Sequence, residues 1–232
     1  MEEIFKNKML LVVAPHPDDE VLGCGGLIGK VKKEGGKVYV LIMTAGVSPL
    51  YGSTYNLEGF LKETADAMKF MNIDDYEINL GPEFNNKLDT LNQLKLMDII
   101  ERDSKLALNK IKPDIVAIPF PSAHQDHVVV YQAALRACRP RPAELKPFQS
   151  IVLSYEYGQN QWASSDGFKP NFYLNIENFI DFKCQALSFY KSQLRPFPQY
   201  ISEEAVRTLA KMRGIDVGVK AAEAFQVHRI LV

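Results

Sequence analysis

The chain alternates between short, nearly uninterrupted apolar runs and longer stretches whose apolar residues recur at helical spacing. Met9-Leu10-Leu11-Val12-Val13-Ala14 is the first such run, and its closing Pro15 marks it as a strand buried on both faces. Further strands are predicted at 37–43, 76–80, 115–118, 151–155 and 172–174, with a last one over 225–232. Helices are predicted over 21–33, 57–71, 91–111, 128–138 and 179–193. Another begins after the N-cap signal Ser202-Glu203-Glu204 and ends near Gly214. This alternation favours an α/β fold, a doubly wound and mostly parallel sheet with helices on both faces. One domain covering residues 1–232 suits the length, with room for a small appendage.

Two polar clusters follow strands of this pattern. In such sheets ligands bind beyond the carboxyl ends of the strands, so both clusters stand where chemistry is expected. The first, Pro15-His16-Pro17-Asp18-Asp19-Glu20, places one imidazole beside three carboxylates directly behind 9–14. The second, His124-Gln125-Asp126-His127, follows 115–118. The sequence has four histidines, at 16, 124, 127 and 228, and three of them fall in these clusters.

His16 and Asp19 are three residues apart, as are His124 and His127, so on a tight turn or a first helical turn each pair projects from one face. Three imidazole and carboxylate donors, with a fourth position left to water, make up a catalytic zinc site. His16, Asp19 and His127 are the expected ligands, on zinc or alternatively on iron(II) or cobalt(II). Asp18 is then a free carboxylate able to take a proton from water. His124 is a free imidazole for an oxyanion or a leaving amine, with Asp126 expected to fix its tautomer. These parts support metal-assisted hydrolysis of an acyl or phosphoryl bond and leave that choice open.

Taken singly, the acidic triplet reads as a helix start favoured by the macrodipole and His127 as a structural histidine; their joint occurrence favours a metal. Gly23, Gly25 and Gly26 let a helix lie close to the sheet or to a ligand. They make a poor dinucleotide fingerprint, because Ile28 stands where the third glycine belongs. His228, in the tail strand, reads either as structural or as part of a pocket rim.

Composition narrows the function classes. With 47% hydrophobic and 24% charged residues and a net charge of −1, there is no basic footprint for nucleic acid or an anionic membrane. No apolar stretch approaches the roughly 20 residues of a membrane span, and the acidic start does not read as a signal peptide. Three cysteines, at 24, 138 and 184, argue against a disulfide framework. A cytoplasmic protein acting on a small molecule is expected, with a homo-oligomer left open.

Together these residues resemble the LmbE-like (PIG-L) family of zinc-dependent N-deacetylases. The resemblance rests on His16-Pro17-Asp18-Asp19-Glu20 after the first strand and His124-Gln125-Asp126-His127 after a later one. It extends through Lys112-Pro113-Asp114, Tyr190-Lys191-Ser192-Gln193, Arg213-Gly214 and Ala222-Glu223-Ala224-Phe225. It implies a Rossmann-like sheet and hydrolysis of an acetamide, usually that of an N-acetylglucosamine unit, with the roles given above. Where many relatives carry an arginine that helps hold substrate, this chain has Phe60, with Lys62 nearby. The loop 154–167, rich in Tyr, Gln and Asn and holding Trp162, looks suited to stacking on and hydrogen-bonding a sugar. A metallophosphoesterase and a catalytically silent sugar-binding protein are the competing expectations.

Overall fold

In the computed structural model, residues 4–47, 56–142, 144–158 and 167–231 are described. Among them the chain order is β1 (Met9–Ala14), α1 (Asp19–Lys33), β2 (Lys37–Thr44), α2 (Leu57–Phe70), β3 (Asp75–Leu80), α3 (Gln93–Asp98), α4 (Leu108–Ile111), β4 (Ile115–Pro119) and α5 (Gln125–Ala137). Then follow β5 (Ile151–Tyr155), β6 (Phe172–Asn175), α6 (Ile180–Leu187), α7 (Glu203–Ile215) and β7 (Ala222–Ile230). The seven strands form one sheet in the order β3-β2-β1-β4-β5-β7-β6. The first five in that row are parallel, while β7 runs antiparallel to both β5 and β6.

The apolar runs are explained by burial on both faces. Leu10, Val12 and Ala14 of β1 join one core with Val21, Leu27 and Ile28 of α1. Leu11 and Val13 face the other way, into a second core with Val130, Ala133 and Ala134 of α5. Successive residues of a strand point to opposite faces, so a strand covered on both sides must be apolar throughout. The chain leaves β1 for β2 on one side and later returns to β4 on the other. The crevice at the carboxyl ends of β1 and β4 is therefore a topological switch point.

Gly23 brings α1 against β5, since a Cβ there would lie 2.1 Å from Tyr155 Cδ2. The glycines thus serve packing on the sheet and its neighbours.

Two predicted helices are shorter than their patterns. The stretch 91–111 is α3, a wide π turn over Ile99–Asp103, a break, and then α4. The break falls at Ser104, whose hydroxyl donates to Glu77 Oε2 (2.6 Å) and accepts from Leu106 N–H (2.9 Å). A serine bonding the local backbone competes with helix continuation. The pattern over 179–193 yields only α6, and beyond it Glu63 of α2 accepts both the N–H (3.1 Å) and the hydroxyl (2.6 Å) of Ser192. No helix among the described residues is long and apolar enough to cross a membrane.

Candidate metal centre

Two arms meet at the switch point. The first leaves β1 through Pro15-His16-Pro17 and enters α1 at an N-cap residue, Asp18, with φ +91°. That is a strained conformation for a residue with a side chain, the kind held only where the surroundings determine it. The surroundings do so here. Asp18 N–H donates to Glu20 Oε2 (3.0 Å), and its carbonyl accepts from Val21 and Leu22 (3.0 and 2.9 Å). Glu20, wholly buried, accepts the Tyr190 hydroxyl at its other oxygen (2.6 Å). The Asp18 carboxylate makes no capping bond and no other hydrogen bond among the described residues, although it is only 7% exposed.

The second arm enters α5 through His124, which caps the helix with its ring: Nδ1 accepts the N–H of Asp126 (3.2 Å). Because Nδ1 accepts, a neutral ring carries its proton on Nε2, which lies 3.0 Å from Asn86 Oδ1. The His124 backbone N–H donates to Ser122 Oγ (3.1 Å), which also accepts the Tyr157 hydroxyl (2.6 Å). The Tyr157 ring covers His127 at a centroid distance of 4.7 Å.

The arms converge on Asp19. Its Oδ2 is 3.5 Å from His16 Nδ1 and 3.3 Å from His127 Nε2. One donor atom from each of His16, Asp19 and His127 lies within 4.8 Å of the others. His16, His124 and Asp126 form a second such group, but there the Asp126 carboxylate is already engaged. Its Oδ2 is 2.8 Å from His16 Nε2, and its Oδ1 accepts Leu88 N–H (2.9 Å). A carboxylate on the outer nitrogen of a ligating histidine is the usual support of a metal site. The first set also fits a cation because His127 Nδ1 is buried and has no hydrogen-bond partner among the described residues.

Burial dominates the electrostatics. It raises Asp18 well above the usual carboxylate range, reinforced by the charges of Asp19 and Glu20. It also lifts Glu20 to about 7, against the Tyr190 hydrogen bond. For Asp19 burial acts in the same sense but is overcome by His127 and His16, which hold it well below the carboxylate range. Burial pulls His16 down, yet the hydrogen bonds to Asp126 and Asp19 outweigh it and bring its pKa to about 9. His124 falls to about 4 through burial and the neighbouring His16 and His127.

One predicted pairing differs in the structure. Asp126 is expected to fix the His124 ring, but its carboxylate reaches across to His16, and only its backbone N–H touches His124. His228 is not brought to the cluster. Because β7 is antiparallel, its carboxyl half runs toward the amino ends of the parallel strands, and His228 Nε2 pairs with Ser154 Oγ (2.7 Å). Lys62 pairs with Asp66 (2.6 Å) on the exposed face of α2, where it lines a groove with Gly59, Phe189 and Lys191. Trp162 lies outside the described residues. The sequence alone points to no role for Glu20, Tyr190 or Asn86, and to Tyr157 only as part of the loop 154–167. The one signal for Asn86 is its residue type in a polar loop, since asparagine tolerates the φ of +60° found there.

The pattern of the PIG-L family, described as GlcNAc-PI de-N-acetylase, matches residues 11–138, which include both arms. The chain belongs to the PIG-L family. The uncharacterized deacetylase YaiS of Escherichia coli K12 is 30% identical over 193 residues, covering 81% of this chain and 92% of that protein. The diacetylchitobiose deacetylase of Thermococcus kodakarensis is 25% identical over 235 residues, covering 94% of this chain and 82% of its own. The crystal structure of the conserved protein TT1542 from Thermus thermophilus superposes with a TM-score of 0.72 at 30% identity, covering 96% of this chain and 95% of that one. The PIG-L match ends at 138, so Tyr157 and Tyr190 come from the part of the chain beyond it.

Proposed function

We propose that this protein is a metal-dependent N-deacetylase that hydrolyses the acetamide of an N-acetylglucosamine-type sugar, conjugate or nucleotide sugar. Membership of the PIG-L family and likeness to a diacetylchitobiose deacetylase support the acetamide. The observation that carries the reading is Asp18, a buried carboxylate with no hydrogen bond of its own among the described residues, next in sequence to a donor set that fits a cation.

His16, Asp19 and His127 would hold a divalent ion such as zinc, iron(II) or cobalt(II), with Asp126 fixing the His16 ring. When bound, such an ion polarises the acetamide carbonyl and brings the pKa of water down toward about 7. Asp18 takes the proton of the attacking water. Burial and like charge make it a stronger base than an ordinary carboxylate. His124, neutral near pH 7, turns its Nε2–H from Asn86 to the oxyanion that develops on the substrate. Asp18 then delivers its proton to the departing amine. Trp162 is assigned to the sugar face on its sequence setting alone, and Trp162→Ala is expected to raise the Michaelis constant.

Acetate release is to be measured from N-acetylglucosamine, diacetylchitobiose and a nucleotide sugar, with chelator and after zinc is restored. Release that stops with chelator and returns with zinc supports the reading. Sugar binding with no acetate from any substrate, or hydrolysis of an aryl phosphate instead, refutes it.

A further inference from the structure

The proposed base stands on strained backbone, and the group that fixes that backbone is anchored far away in the chain. Asp18 is held at φ +91° while its N–H donates to Glu20 Oε2. The other oxygen of Glu20 accepts the hydroxyl of Tyr190, 170 residues on and wholly buried. Tyr190 is fixed in turn. It sits in the turns after α6, its ring lies edge-on to Phe60 of α2 at 6.4 Å, and Glu63 of α2 holds Ser192 two residues later. An unbroken set of contacts thus runs from α2 through Tyr190 and Glu20 to the amide of Asp18.

We propose that Tyr190 is a positioning residue: through Glu20 it holds the Asp18 backbone in its left-handed conformation and so aims the Asp18 carboxylate. The proposal rests on the reading of Asp18 as general base. Three features favour positioning over simple packing. A phenylalanine would fill the same core, so packing does not require the hydroxyl. The hydroxyl meets a carboxylate that is otherwise buried at the start of α1, and leaving that oxygen unpartnered would free Glu20 to move. The amide that Glu20 holds belongs to a residue whose conformation its own side chain opposes.

The test is Tyr190→Phe, alone and combined with Asp18→Asn, in the full-length, metal-loaded protein. Tyr190→Phe alone is expected to lower kcat about tenfold with KM changed less than twofold and with unchanged metal content. In the Asp18→Asn background it should cause no further loss, because the group it aims is already gone. Hydrogen–deuterium exchange is the second readout, with the peptide containing the Asp18 amide exchanging faster in Tyr190→Phe. Should Tyr190→Phe not fold, Glu20→Gln replaces it in both arms, since it keeps the shape of the side chain and weakens the grip on the amide. An unchanged kcat, a loss that multiplies with that of Asp18→Asn, or unchanged exchange at the Asp18 peptide overturns the proposal. If Asp18→Asn alone keeps wild-type turnover, the base assignment fails instead, and the exchange measurement still decides whether Tyr190 holds the turn.

Discussion

The two arms of the site do the same geometric work by opposite means. The β4–α5 arm is locally relaxed: His124 has extended backbone and caps its helix with its own ring, the ring proposed to meet the substrate. The β1–α1 arm is locally strained: Asp18 is left-handed, caps nothing and is buried among like charges. The relaxed arm supplies the cap of its helix from its own ring. The strained arm needs Glu20 and Tyr190. On the proposed mechanism the strained arm is where stability was given up for reactivity, because the carboxylate that makes no hydrogen bond among the described residues is the one proposed to carry a proton.

Substitutions can separate these two situations. The largest effect is expected from Asp18→Ala, which should lower turnover by about 10²–10⁴-fold while bound metal stays at the wild-type level. If the metal is lost as well, Asp18 belongs with the ligands and the contrast between the arms disappears. Next comes His124, whose two roles are separable because asparagine is a good N-cap. His124→Asn should lose about 10²-fold in turnover yet keep its urea midpoint, whereas His124→Ala should lose the same activity and also about 1 kcal/mol of stability. Equal stability of the two variants would show that the ring does not cap α5. The smallest change in free energy is the gain in stability expected from Asp18→Gly, which relieves the positive φ and removes a buried charge. It should be inactive but about 1 kcal/mol more stable than the wild type, as read from its urea midpoint. A less stable Asp18→Gly would mean that the turn is not strained.

The fold was legible wherever one local rule sufficed. The runs at 9–14 and 115–118 could only be buried strands, and the residues behind them had to fall at the carboxyl crest. The residue types of the site were legible for the same reason. What could not be read was pairing over distance. Asp126 lies two residues from His124 in sequence, yet its carboxylate finds His16, 110 residues away. The 91–111 pattern has a helical period throughout, and only the contact between Ser104 and Glu77 of β3 reveals the break. The direction of β7 is likewise absent from its apolar pattern, which is why the sequence alone leaves His228 free to stand at the crest.

That direction has a consequence for how the molecule comes into being. The last strand in chain order is inserted between β5 and β6, so it is a seam and not a border. Until it emerges during synthesis, β6 has no strand to join, and Glu223 has not yet reached the amides of Gly26 and Leu27 in α1. A chain cut before Ala222 would therefore lose the joint between its two ends, although both arms of the site would already have been made.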